Sequence, residues 1–178
     1  YAADITRTFP VNGRFTAEQR AVYDVVLAAQ QAALGEARPG RDFNAPHEAA
    51  TRVLTQGLID LGLLAGSLDG ALESKSFRQF FMHKTGHWLG LDVHDVGDYR
   101  EPAAAKEGEE RAWRILVPGM ATTIEPGLYI RPAPNVEERF HHIGIRIEDD
   151  VAITADGCDI LSADAPKLPA DIEALMKR

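Results

Sequence analysis

The chain has 178 residues, of which 45% are hydrophobic and 26% are charged, a composition typical of one globular domain with its own core. Its formal net charge of −8 disfavours an extended nucleic-acid-binding surface, which needs a basic face, so no nucleic-acid partner is expected. The single cysteine, Cys158, excludes an internal disulfide and a thiolate-rich metal site, and we predict a reducing, cytoplasmic setting without a membrane span.

The first elements in chain order are a short strand and a long helix. Alternating residues rich in Thr and Ile predict a strand over 3–9. Thr16 and Gln19 have the spacing of a capping box, and apolar residues then recur with a helical period. The pattern therefore predicts an amphipathic helix over 16–35.

A second helix is predicted to begin near Asn44. Pro46 is tolerated in its first turn, and the apolar period ends close to Gly62. Residues 67–76 predict a short helix or an irregular loop.

The second half of the chain has a β pattern. It begins near residue 77 with "QFFMH", and residues 119–130 and 142–154 alternate as strands with one buried face do. The charged, alanine-rich stretch 99–114 is predicted to be a surface excursion, and 168–178 a short amphipathic helix. Helices followed by antiparallel strands predict a single α+β domain over 1–178.

Four residues in strand or turn contexts are candidate metal ligands: Asp4, His87, Glu125 and Glu148. A carboxylate inside an apolar strand is costly to bury unless a cation or a partner neutralises it. This ligand mixture favours Mn²⁺, Co²⁺, Zn²⁺ or Fe²⁺. The alternative for each acid taken alone is a solvent-facing or salt-bridged residue, and Glu148 has Arg146 two residues away on the same strand face.

Three of the six histidines lie within "FFMHKTGHWLGLDVHDVG" at 80–97. His83 and His87 are four apart, but Gly86 disfavours the helix that an H-x-x-x-H zinc motif requires, so we reject that motif. His94 lies between two aspartates, which either hold its tautomer or make a structural hydrogen bond. The remaining histidines are predicted to be surface residues: His47, His141 and His142. Two further predictions are a turn or strand position for Cys158 and core packing for Trp88.

Four segments carry a resemblance to a known family: "YAADITRTFPVNGRFTAEQRAVYDVVL", "FFMHKTGHWLGLDVHDVG", "TIEPGLYI" and "HIGIRIEDDVAIT". In this order they resemble the Xaa-Pro aminopeptidases of the pita-bread metallopeptidase family, over essentially the whole chain. The resemblance implies a curved, mostly antiparallel sheet flanked by helices and incomplete at its N-terminal side. The chain would be the C-terminal portion of the catalytic domain of a homo-oligomeric enzyme.

The resemblance also implies a site for two Mn²⁺ ions that share a bridging hydroxide. Carried over to this sequence, the metal ligands are Asp4, His87, Glu125 and Glu148. The family has one further aspartate, which would precede Tyr1. We therefore expect a complete ligand set for one metal only, and weak or no activity from this chain alone.

The remaining roles are likewise implied by the resemblance. Glu125 would shuttle a proton, His94 would stabilise the oxyanion, and His83 would line the pocket. Arg146 and Tyr129 would orient ligands and water. The implied reaction releases the N-terminal residue of a peptide that has proline in second position. The alternatives are an Xaa-Pro dipeptidase (prolidase), or a non-catalytic scaffold or inactive fragment.

Overall fold

The fold contains four helices and five strands in the part of the chain that the computed structural model describes, residues 1–102 and 110–177. The helices are α1 (Ala17–Glu36), α2 (Ala45–Asp60), α3 (Leu68–Ser74) and α4 (Pro169–Met176), with short 3₁₀ turns at Ser76–Gln79 and Glu138–Phe140. The strands are β1 (Ala121–Ile124), β2 (Gly127–Ile130), β3 (Ile143–Arg146), β4 (Asp149–Ile153) and β5 (Cys158–Ile160). None of the described helices has the length and apolarity that crossing a membrane requires.

The two long helices begin where the sequence predicts. Thr16 accepts from the Gln19 N–H while the Gln19 side chain accepts from the Thr16 N–H, which is the predicted capping box. Asn44 precedes α2, and Pro46 lies in its first turn. Residues 67–76 contain α3, and 168–178 contain α4.

The strands form two antiparallel sheets, one with the order β1–β4–β5 and the other pairing β2 with β3. Helix α1 packs against α2 and against strands β1, β2 and β3. This arrangement buries one face of α1, including Val22, Val26 and Ala33. The two long strands predicted from the sequence, 119–130 and 142–154, are each divided between these two sheets.

The divisions correct the prediction for 119–130 and 142–154. The first breaks at Glu125 and Pro126, and the second breaks at Ile147 and Glu148. The backbone N–H of Glu125 bonds to Thr85, and that of Glu148 bonds to Thr6, so distant segments take over the pairing. Both glutamates consequently lie between strands rather than inside them.

Two other strand predictions are wrong. Of residues 3–9, only Thr6 forms a bridge, to Glu148, because the hydroxyl of Thr8 replaces the backbone in bonding to both the N–H and the C=O of Arg146. "QFFMH" follows a 3₁₀ turn and is not a strand; its Phe80 and Phe81 are buried.

The remaining predictions have mixed outcomes. Trp88 packs in the core as predicted. Cys158 lies in a strand, β5, which agrees with its predicted turn or strand position, although the residue periodicity does not indicate that strand. In the predicted excursion, Arg100 bridges Trp113, while residues 103–109 lie outside the described part. His142 is exposed and His141 is half-buried.

Candidate metal centre

Four segments converge where the two sheets meet. In the strand register, Ile124 faces Asp149 and Gly127 faces Arg146, so Glu125 and Glu148 occupy opposite sides of the junction. The histidine segment runs beside β1 because Thr123 and Glu125 donate to the carbonyls of His87 and Thr85. The backbones approach closely at Gly86, where an added Cβ would lie 2.3 Å from the Thr123 oxygen. A cavity of about 520 Å³ results; its lining includes Asp4, His83, His87, His94, Glu125, Arg146 and Glu148.

The imidazole of His87 has the orientation of a metal ligand. Its Nδ1 lies 3.0 Å from the Trp88 carbonyl, which requires the proton to be on Nδ1 and leaves a lone pair on Nε2. That Nε2 is buried and has no hydrogen-bond partner among the residues that the structure describes; it lies 3.3 Å from Asp4 Oδ2 and 3.8 Å from Glu125 Oε1. A buried acceptor facing two carboxylates suits a divalent cation.

The carboxylates lie close enough to share an ion. Ligand atoms of His87, Glu125 and Glu148 all lie within 4.8 Å of one another, as do those of Asp4, His87 and His94. Burial and the neighbouring Glu148 raise the pKa of Glu125 to about 7. Burial likewise raises the pKa of Glu148, although the hydroxyl of Thr6 donates to it at 2.5 Å. A cation would relieve the repulsion among these acids.

Two further side chains, His83 and Arg146, line the cleft. His83 Nδ1 lies 2.7 Å from the Lys84 carbonyl, so its Nε2 accepts from the Tyr129 hydroxyl at 2.8 Å. Arg146 Nε lies 3.8 Å from Glu148 Oε2, which is the ion pair that the sequence predicts as an alternative for Glu148. Burial raises the pKa of Tyr129, and the positive charge of Arg146 opposes this rise.

His94 is exposed, and its ring centroid lies 4.1 Å from that of His87. Asp95 accepts from the N–H groups of Leu91 and Val96 instead of from His94. Among the described residues, neither flanking aspartate hydrogen-bonds the His94 ring. The proposed control of its tautomer by the flanking aspartates is therefore wrong, and its ring forms no structural hydrogen bond within the described residues either.

A buried ion cluster that sequence reasoning missed supports the Asp4 segment. Asp149, which is fully buried, accepts from Arg7 at 2.6 Å, from Ser162 at 2.7 Å and from Lys167 at 2.5 Å. Arg7 also donates to the carbonyl of Glu148. The signal for this cluster in the sequence is the run of three consecutive acids in "IEDD", because the sequence predicts a partner for only one of them, Glu148.

His47 was predicted to be a surface residue, and this prediction is wrong. Its Nδ1 lies 2.9 Å from the hydroxyl of Thr85, and its ring packs 5.6 Å from that of Phe81. The carbonyl of Thr85 in turn accepts from the Glu125 N–H. The sequence contains no local signal for this position, because Thr85 is 38 residues away along the chain.

Comparison with known proteins adds independent findings. A family model described as metallopeptidase family M24 matches residues 1–155. The chain is 49% identical over 176 residues to the Xaa-Pro aminopeptidase of Haemophilus influenzae, covering 99% of this chain and 39% of that protein. It spans well under half the length of the curated relatives it matches.

Solved structures agree with this similarity. The Pseudomonas aeruginosa aminopeptidase PepP is 51% identical with a TM-score of 0.93, covering 99% of this chain and 38% of that one. A zinc-substituted Escherichia coli aminopeptidase P in complex with product is 49% identical with a TM-score of 0.90, with the same coverage. The predicted α+β pita-bread fold is confirmed.

Proposed function

Because the chain belongs to metallopeptidase family M24, we propose that it is the C-terminal portion of the catalytic domain of a metal-dependent exopeptidase. Its substrates would be peptides with proline in second position, from which it would release the N-terminal residue. The names of the similar proteins support this substrate class. The observation that carries the proposal is the buried, partnerless Nε2 of His87 among three carboxylates.

Divalent metal is the proposed cofactor, and the residues present fit it. His87, Asp4, Glu125 and Glu148 would hold the ion, and Mn²⁺ is the metal we expect. The zinc-substituted relative supports a divalent ion of this size. When bound, such an ion lowers the pKa of water toward neutrality and polarises the substrate carbonyl.

The protein's own groups would perform the remaining chemistry. Glu125 would accept a proton from the attacking water and deliver it to the proline nitrogen. His94, at the rim of the cleft, would donate to the developing oxyanion. His83 would line the pocket, positioned by its contact with Tyr129, and Arg146 would orient Glu148.

The experiment uses the complete enzyme that contains this chain, loaded with Mn²⁺. We expect it to release arginine from Arg-Pro-Pro and to leave the dipeptide Arg-Pro uncut. His87→Ala should weaken Mn²⁺ binding, measured by titration calorimetry, by roughly a hundredfold or more. His142→Asn, which removes an exposed imidazole at a position whose positive φ of 65° asparagine tolerates, serves as the control.

Four outcomes would contradict the proposal. An uncut Arg-Pro-Pro with Mn²⁺ present would reject the activity, and cleavage of the dipeptide alone would indicate a prolidase. Unchanged Mn²⁺ affinity in His87→Ala would reject the metal assignment. Binding of the peptide without any cleavage would indicate a non-catalytic scaffold.

A further inference from the structure

A second cavity opens beside the metal cleft, between the start of α2 and strand β1. Its volume is about 430 Å³, and most of its wall is apolar or aromatic. The main apolar contributors are Phe43, Pro46, Tyr99, Trp113, Leu116 and Ile124. Lys84, Gly86 and Tyr99 line both this cavity and the metal cleft, so the two spaces share a boundary.

Lys84 places a positive charge at that boundary. Its Nζ donates to Asn44 Oδ1 at 3.0 Å and lies 5.1 Å from the ring centroid of Trp113. Within the described residues, no carboxylate oxygen lies within 4 Å of this ammonium group. Arg100 stacks on Trp113, 3.4 Å from the ring centroid, and its partner Glu110 is solvent-exposed. The ammonium group of Lys84 is therefore available to an oxygen acceptor.

The apolar cavity carries positive charge from Lys84 and Arg100 and has no acidic residue in its described lining. The acids Asp4, Glu125 and Glu148 line the metal cleft, where they would hold the divalent ion. A peptide carries its ammonium group at one end and carbonyl or carboxylate oxygens toward the other. Lys84 and Arg100 repel the ammonium group and attract the carbonyl or carboxylate oxygens, so the downstream end is directed toward Lys84. Two extended residues span about 7 Å.

We propose that the apolar cavity receives the side chain of the residue that follows proline, and that Lys84 binds a main-chain or terminal oxygen of that same residue. The inference rests on the proposed function and names its substrate class: Xaa-Pro-Yaa peptides in which Yaa is apolar. The oxygen belongs to a free C-terminal carboxylate in a tripeptide and to a peptide carbonyl in a longer substrate.

The test compares kcat/KM of the complete Mn²⁺-loaded enzyme for Ala-Pro-Leu, Ala-Pro-Leu-amide and Ala-Pro-Gly. We expect the free acid to exceed the amide by roughly fivefold, the scale of a half-exposed ion pair. Lys84→Met should remove most of this ratio, and Lys84→Arg should retain it. Leu should exceed Gly by about tenfold, and Trp113→Ala should reduce that preference.

Lys177→Met is the matched control, because it removes one exposed lysine charge just after α4, at a residue that lines neither cavity. It should keep both ratios. Equal acid-to-amide ratios in wild type and Lys84→Met would overturn the assignment of Lys84 to the C-terminal carboxylate of a tripeptide. If the longer peptide Ala-Pro-Leu-Ala loses kcat/KM in Lys84→Met while the acid ratio stays fixed, the bound oxygen is a peptide carbonyl.

Equal rates for Leu and Gly peptides would overturn the cavity assignment even if Trp113→Ala misfolded, because that comparison uses wild-type enzyme. These failures differ from failure of the proposed function. If the proposed function were wrong, none of the Xaa-Pro peptides would be cut at all.

Discussion

His47 illustrates how burial sets the chemistry of a single side chain near the cleft. Burial, together with the nearby positive charges of Lys84 and Arg78, lowers its pKa from 6.5 to about 4. The imidazole is therefore neutral at physiological pH and bonds to the hydroxyl of Thr85. Through Thr85 it supports the backbone of Glu125 without touching the cleft acids directly.

Protonation of His47 should make the protein acid-sensitive. Because the folded pKa is depressed, the unfolded chain binds the proton first as the pH falls. Stability is complete above about pH 6.5 and is lost between there and about pH 4. His47→Asn should remove this loss, which is on the order of 2 kcal/mol.

The measurement is urea unfolding of wild type and His47→Asn at pH 7.5, 5.5 and 4.5. The control is His142→Asn, at an exposed position with a positive φ of 65° that asparagine tolerates. The control should retain the wild-type pH dependence. Parallel pH profiles for wild type and His47→Asn would contradict the prediction.

At the scale of elements, local signals predicted the helices and failed at the strand breaks. The capping box of Thr16 and the apolar period of α1 act within a few residues, so they can be read from the sequence. The break at Glu125 depends on Thr85, and the break at Glu148 depends on Thr6. The metal-ligand candidates were therefore identifiable by residue type, but their junction position was not.

The contact between α1 and α2 depends on one glycine. A Cβ at Gly57 would lie 2.3 Å from Cγ1 of Val25, closer than carbon atoms pack. Alanine gains about 1 kcal/mol in helix propensity over glycine, but overpacking costs about 1–3 kcal/mol. We expect Gly57→Ala to lower the free energy of unfolding by about 1 kcal/mol, measured in urea.

The same substitution at Gly35, near the end of α1, is the matched control. No atom outside its own helical surroundings lies within 4 Å of a Cβ built there, so Gly35→Ala should stabilise. Adding Val25→Ala to Gly57→Ala should recover the helix-propensity gain, and the double-mutant cycle measures that coupling. A stabilising Gly57→Ala single variant would show that the helices separate at no cost.

At the scale of the whole molecule, the candidate centre joins the two ends of the fold. Asp4 is held by Asp150, whose carboxylate accepts from the Asp4 N–H, and Arg7 connects the same segment to Asp149. Residues far apart in the sequence thus belong to one network of hydrogen bonds and ion pairs beside the candidate centre. Homo-oligomeric assembly and a cytoplasmic location stay predictions from the sequence.

Because the centre groups several carboxylates, metal binding and folding stability should be coupled. The folded pKa of Glu125 is raised from 4.5 to about 7, so the folded state retains a proton that the unfolded chain releases earlier. With a chelator present, the Glu125 contribution therefore lowers stability as the pH rises from about 4.5 to 7. Solvent screening limits this loss to about 1 kcal/mol.

Glu125→Gln isolates that contribution from other titrating groups. With chelator, the variant should be more stable than wild type at pH 8 and equal to it at pH 4.5, measured by thermal unfolding. Excess Mn²⁺ should reverse the order at pH 8, since a ligand at a hundred times its Kd stabilises the folded state by about 2.7 kcal/mol. A chelated wild type that matches Glu125→Gln at both pH values would mean that Glu125 ionises freely, and the metal would then have no repulsion to relieve.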